Sequence, residues 1–235
     1  MFNFEKSKKQ LMIPKEYQDF SLYARDKNLS SSNFDYYNKQ IENSLTPYIL
    51  EERQMNVTVM DVFSRLMMER IIWVAGPVND NMSTIVQAQL MFLDSLDHND
   101  ITIHIDTPGG SVKSGLSMVD VMDYITSDIQ TINTGMAASM GSILLGAGTK
   151  GKRGSLSFSR TMLHQSSGGF RGNIQDAEID MVEWKKLNKQ LFNLLGQYCD
   201  KKPEDVMNDA TRDMWLSAEE AVKYGIIDNV VKKKK

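Results

Sequence analysis

A serine, a histidine and an aspartate far apart along this chain have the side-chain types from which a nucleophile, its base and an orienting acid are built. Ser139 lies in Gly135-Met-Ala-Ala-Ser-Met-Gly-Ser-Ile-Leu-Leu-Gly-Ala-Gly148. The preceding Ile129-Gln-Thr-Ile-Asn-Thr134 has the β-branched composition of a buried strand, and the residues that follow have helical character. Ser139 therefore falls at a strand-to-helix turn, where exposed helix-start N–H groups and the helix dipole favour a forming anion. Ala137, Ala138 and Gly141 leave room for close approach, and the spacing resembles the nucleophile elbow G-x-S-x-G with Ala137 at the first glycine. A serine so placed also serves simply as a helix cap, and the turn alone does not separate the two roles.

A serine hydroxyl attacks only when a base takes its proton and a third group holds that base. Three histidines are present. His98 sits in the polar link Asp97-His-Asn-Asp100, a solvated setting. His104 occupies the polar side of the alternating strand Ile101-Thr-Ile-His-Ile105, which suits a surface or interface role. His164 ends the apolar strand Thr161-Met-Leu-His164, where a side chain can reach a neighbouring strand end. The acid comes from Asp209-Ala-Thr-Arg-Asp-Met-Trp-Leu-Ser217, a connection between two helices, and spacing does not choose between Asp213 and Asp209. Asp106-Thr-Pro-Gly-Gly110 joins a strand to a helix. Its glycines can offer unobstructed N–H groups which, with that of Met140, would form an oxyanion hole, although Pro-Gly-Gly also makes a plain turn.

The elements that must position these residues follow an alternating rhythm. Helical spacing marks 61–70, 82–96 and 111–125, and strands are expected at 71–75, 101–105, 129–134, 161–164 and 226–231. Such alternation predicts an α/β domain with a largely parallel sheet. The span 45–60 has no sustained period and reads as irregular. Asp176 to Cys199 is the longest helical pattern, and its length suggests projection toward another subunit, with a helix lying across its own domain as the alternative. Pro203-Glu-Asp-Val opens a short helix, and Ser217-Ala-Glu-Glu220 is a capping box for the next.

Composition narrows the setting. The 235 residues carry 41% hydrophobic and 24% charged side chains and a net charge of −3, which offers no general electrostatic case for nucleic acid. A single cysteine, Cys199, cannot close an intrachain disulfide. No apolar run approaches the roughly 20 residues that a membrane-spanning helix needs. The N-terminus has no signal-peptide core, so a cytoplasmic location is the expectation. Residues 1–44 read as an N-terminal extension and possible propeptide, 45–231 as the main domain, and 232–235 as a basic tail.

Taken together, Asp106-Thr-Pro-Gly-Gly110, Met136-Ala-Ala-Ser-Met-Gly141, Lys150-Gly-Lys-Arg153, Met162-Leu-His-Gln165, and Arg212-Asp213 followed by Leu216-Ser-Ala218 resemble, in order and separation, the proteolytic subunits of the Clp protease family (ClpP). The resemblance spans Leu45 to Val231. It implies a ClpP/crotonase-like β–α spiral with a projecting handle, formed by a long helix plus a strand. It implies an ATP-independent serine endopeptidase with Ser139 as nucleophile, His164 as base and Asp213 rather than Asp209 as acid. Gly110 and Met140 would form the oxyanion hole, and Gly168, Gly169 and Phe170 would bind substrate. No metal or other cofactor is implied, since ATP is used only by the partner. The implied partners are further copies in two stacked heptameric rings, a hexameric AAA+ unfoldase and unfolded polypeptides, with no nucleic acid or membrane.

Some positions depart from the family pattern. Ser166 stands where proline usually follows His-Gln, and Thr211 where an acid commonly precedes the arginine. Thr102, His104 and Gly154 replace aromatic residues of the unfoldase-docking cleft, while Tyr124 is retained. Two rival readings accompany the peptidase: an inert ring subunit that assembles with active partners, and a crotonase-type acyl-CoA enzyme.

Overall fold

The computed structural model describes residues 48–53, 56–168 and 173–232. The expected extension 1–44 lies outside the described residues, as do Gly169 and Phe170; of the basic tail, Lys232 alone is described. Hydrophobic alternation sets the sheet. Ile101, Ile103 and Ile105 of β4 (Ile101–Thr107) are buried, whereas Thr102 and His104 are half-buried. On either side of β4 lie β3 (Ile71–Ala75) and β5 (Ile129–Ala138), both parallel to it. The order continues through β6 (Arg153–Leu156) to β9 (Asn229–Val231).

The strand that ends at the candidate nucleophile serves two neighbours in succession. Thr131, Ile132 and Asn133 of β5 pair with β6, whereas Met136, Ala137 and Ala138 pair with β7 (Arg160–Leu163). Asp106 Oδ1 accepts the Met136 N–H at 3.0 Å and so ties the far half of β5 to β4 across the fork. β7 in turn carries β8 (Met214–Leu216), the one antiparallel partner in this sheet among the described residues.

Helices cover the sheet, and several begin where a polar side chain takes up a free N–H. Asn79 caps α2 (Asp80–Leu96), and Ser111 caps α3 (Val112–Tyr124). They follow α1 (Val62–Met68) and precede α4 (Met140–Gly146). Leu90, Leu93, Met118 and Leu145 from these helices are buried against the isoleucines of β4 and β5 in one continuous core. Asn173 caps α5 (Ile174–Cys199). α6 (Pro203–Asp209) opens on the expected proline, and α7 (Ala218–Tyr224) has the expected capping box between Ser217 and Glu220.

α5 embeds only its second half. Leu191, Phe192, Leu195 and Cys199 are buried, whereas Ile174, Ile179, Met181 and Val182 are exposed. A straight helix of that length extends about 39 Å, beyond what its own sheet covers. Several expectations need correction. Tyr48–Arg53 and Asn56–Asp61 form a strand pair, β1 and β2, where the sequence lacks any period. β5 runs on to Ala138, because the small residues that admit close approach also fit between β4 and β7. The last strand covers only 229–231, since Ile226 and Ile227 are core residues that precede it.

One buried ion pair fastens β6 to the C-terminal strand. Asp228 accepts four hydrogen bonds, from the N–H groups of Gly151 and Arg153 and from Arg153 Nε and Nη2, the last at 2.6 Å. The Arg153 guanidinium also donates to the carbonyls of Tyr198 and Gly225. Burial by itself would raise the Asp228 pKa; the donors on Arg153 and Gly151 outweigh it and hold the carboxyl below its usual range. A depressed folded-state pKa adds stability above the ordinary carboxylate value of about 3.9, and that stability is lost as pH falls through the folded value. Asp228→Ala strands the guanidinium and should cost about 3 kcal/mol at neutral pH. Thermal denaturation of both proteins against pH should show the difference shrinking only in acid.

Candidate active site

Strand register brings the three sequence-predicted side chains together. Ala138 pairs with Met162, and the Ser139 N–H donates to the Met162 carbonyl at 2.9 Å, so Ser139 and His164 leave the sheet from adjacent strand ends. Leu163 pairs with Met214, which puts Asp213 opposite His164 in the antiparallel register. The His164 Nε2 lies 2.8 Å from Ser139 Oγ, and its Nδ1 lies 3.3 Å from Asp213 Oδ1. With the Nδ1 proton directed to the carboxylate, Nε2 is free to accept the serine proton. Asp213 is 63% exposed, so solvent weakens its pull on the imidazole in the single chain.

The helix-cap reading of Ser139 is excluded by its hydrogen bonding. Ser139 occupies the N-cap position of α4, but its side chain makes no capping bond. Its backbone has φ 54° and ψ −121°, a conformation that costs a non-glycine residue about 1–3 kcal/mol. The surroundings enforce it: β5 pairing fixes the approach, and the Ser139 carbonyl accepts both the N–H and the hydroxyl of Ser142 at the start of α4. The strained turn lifts the hydroxyl off the sheet edge and aims it at His164.

The Pro-Gly-Gly loop packs against the turn. A Cβ on Gly109 would come within 2.7 Å of Ser139 Cβ and 2.6 Å of the Ala138 carbonyl, and the backbone there has φ +89°. Gly110 is braced on its other side by Val78, through a parallel bridge and the Ser111 N–H to Val78 carbonyl bond. The N–H of Met140 is the first of α4 and has no partner within the helix; among the described residues, neither it nor the Gly110 N–H takes part in an internal hydrogen bond. Gly110, Ser139, Met140 and His164 all line a cavity of about 340 Å³. Its remaining wall is mostly apolar, built from Val112, Ile143, Leu191, Phe192 and Leu195.

The competing residues are engaged elsewhere. Asp209 accepts the Tyr224 hydroxyl at 3.0 Å. His98 is exposed beside Asp94. His104 stacks on Trp73 at 4.8 Å, and burial lowers its pKa. Cys199 is buried, which raises its thiol to about 12 and leaves it without nucleophilic thiolate at neutral pH. Among the described residues, no group of three or more His, Cys, Asp or Glu could hold a metal ion. Gly168 lies on the segment after His164, against the indole of Trp184. Sequence reasoning missed Trp184 and Asn188 on α5, both bonded to Ser166; Asn188 and Ser166 line the cavity as well. Their four-residue spacing toward a glycine-rich segment is the only signal the sequence holds.

An α/β chain that presents a hydroxyl, an imidazole and a carboxylate in hydrogen-bonded sequence beside free backbone N–H groups has the architecture of a serine hydrolase. The model of one family, Clp protease, matches residues 52–234. The chain is 51% identical over 191 residues to an ATP-dependent Clp protease proteolytic subunit of Bacteroides fragilis, covering 81% of this chain and 92% of that protein. It is 46% identical over 217 residues to the protein of the same name from Porphyromonas gingivalis, covering 92% and 98%. A third such subunit, from Bacteroides thetaiotaomicron, is 51% identical over 191 residues, covering 81% and 87%. The chain belongs to the Clp protease family.

Gly109 and Gly151 offer a matched test of the loop, because both have φ +89° but only Gly109 touches the elbow. Gly109→Ala should lower kcat/KM about 10²-fold by displacing Ser139, whereas Gly151→Ala, with open space around it, should leave kcat/KM near the wild-type value. Steady-state peptide cleavage by the two variants checks this.

Proposed function

We propose that this chain is a serine endopeptidase that cleaves unfolded polypeptides, with Ser139, His164 and Asp213 acting as one proton relay. Ser139 Oγ attacks the scissile carbonyl carbon while its proton passes to His164 Nε2. The carbonyl oxygen becomes an oxyanion received by the N–H groups of Gly110 and Met140, each such donor contributing about 3–4 kcal/mol to the transition state. Collapse of the intermediate breaks the C–N bond, and His164 returns its proton to the leaving amine. His164 then takes a proton from water, whose oxygen attacks the acyl carbon; the bond to Ser139 Oγ breaks as His164 returns that proton to Oγ. Asp213 holds the imidazole and stabilises its charged form. The observation that carries this reading is the 2.8 Å contact between Ser139 Oγ and His164 Nε2, formed from residues that no other structural task explains.

Membership of the family also supports assembly into rings. The exposed apolar residues on the first half of α5 support a ring-to-ring contact, with two heptameric rings enclosing the sites. The relatives are named ATP-dependent, which supports a separate unfoldase as consumer of the nucleotide and feeder of the chamber. An extended substrate would run beside the 168–170 segment and add to it through backbone hydrogen bonds. The relatives' name, proteolytic subunit, favours the peptidase over both an inert ring member and an acyl-CoA enzyme.

A serine-reactive fluorophosphonate should label the wild type at Ser139 and spare Ser139→Ala. Ser139→Ala and His164→Ala should each lower kcat by several orders of magnitude, and the double variant should fall no further, because the residues act as a unit. Labelling of Ser139→Ala at the wild-type rate contradicts the assignment.

A further inference from the structure

The segment after His164 is fastened to α5 by a polar clasp for which the proton relay has no use. Ser166 donates twice to one atom, Asn188 Oδ1: from its hydroxyl at 2.8 Å and from its backbone N–H at 3.3 Å. The same hydroxyl oxygen accepts the indole N–H of Trp184 at 2.6 Å. Trp184 and Asn188 are four residues apart on α5 and so share a face. Gly168 lies close against that indole, where an added Cβ would collide with the ring carbons Cη2 and Cζ3. A proline at position 166 would lack both donors, so the clasp depends on the serine.

Two donors on Oδ1 dictate how the Asn188 amide is turned, since its NH₂ end cannot accept either of them. That NH₂ has no hydrogen-bond partner among the described residues, while Asn188 lines the cavity beside Ser139 together with Ile143, Leu191 and Leu195. Asn188 is half-buried, so its NH₂ can bond to solvent when the cavity is empty. A substrate side chain that enters the cavity takes the place of that solvent. An entirely apolar side chain then leaves the donor unpaired, whereas one ending in an acceptor restores the bond.

Resting on the peptidase reading above, we propose that Asn188 is a specificity-determining residue, with Ser166 and Trp184 as its positioning residues. The clasp holds the Asn188 NH₂ toward the bound side chain, and so extends a pocket walled largely by Val112, Ile143, Leu191 and Leu195 to side chains with an apolar stem and a hydrogen-bond acceptor at the tip. Glutamine has that form. Methionine has nearly the same length without the carbonyl, which makes the pair a direct probe.

The full-length chain is assayed with two fluorogenic peptides identical except for Gln or Met immediately before the scissile bond, and the ratio of the two kcat/KM values is followed. Asn188→Leu should lower the Gln-to-Met ratio about tenfold. Ser166→Ala, which leaves only the backbone N–H to fix the amide, should lower it in the same direction by less, and Ser166→Thr, which keeps both donors, should retain the wild-type ratio. A ratio within twofold of wild type in Asn188→Leu, including the case where both substrates lose equally, overturns the inference and leaves the peptidase reading standing. Failure of the wild type to cleave either peptide in a Ser139-dependent manner overturns the peptidase reading and this inference with it.

Discussion

The site depends on a single stretch of strand pairing. Ala137 and Ala138 at the end of β5 lie against Thr161 and Met162 of β7, and the Ser139 N–H closes the ladder on the Met162 carbonyl. Side chains alternate along a strand, so a slip of one residue would turn His164 to the opposite face. The register is fixed because the same strand must also match Thr131 to Asn133 against β6, with the Met136 N–H anchored on Asp106. Hydrophobic burial of the isoleucines on β4 and β5 holds these strands in place.

From that pairing the remaining geometry follows. The strand must stop at Ser139 and the chain must enter α4 at once, which forces the positive φ and makes the turn a strained element supported by its neighbours. Glycine at 109 lets the second loop approach this turn, so N–H groups from two separate loops line one cavity. β8 completes the set by lying antiparallel to β7, which puts the carboxylate beside the imidazole. The long helix has two halves of different character: its buried half walls the cavity, and its exposed half carries apolar residues that its own sheet does not cover.

Much of this was legible in the sequence, for identifiable reasons. The alternation of Ile101-Thr-Ile-His-Ile105 and the Ser217–Glu220 capping box are local signals, and each yields the element expected of it. The strand-to-helix turn at Ser139 was equally local. β6 and β8 escaped because Arg153-Gly-Ser-Leu156 holds no apolar run, Met214-Trp-Leu216 is a short piece of an inter-helix connection, and both depend on partners distant in the chain. For that reason the residues alone left Asp213 and Asp209 undecided: the difference between them is the pairing of Leu163 with Met214, which no spacing rule contains. Ser166 is visible as a departure from the family pattern, but its bonds to Trp184 and Asn188 exist only once α5 has docked.

The claim that strand register converts three distant residues into one nucleophilic centre has a direct structural test. A crystal structure of the chain reacted with a peptidyl boronate should show boron bonded to Ser139 Oγ, one boronate oxygen accepting from the N–H groups of Gly110 and Met140, and His164 Nε2 facing the adduct. Boron bonded to any other residue, or an adduct oxygen turned away from both N–H groups, would contradict the account.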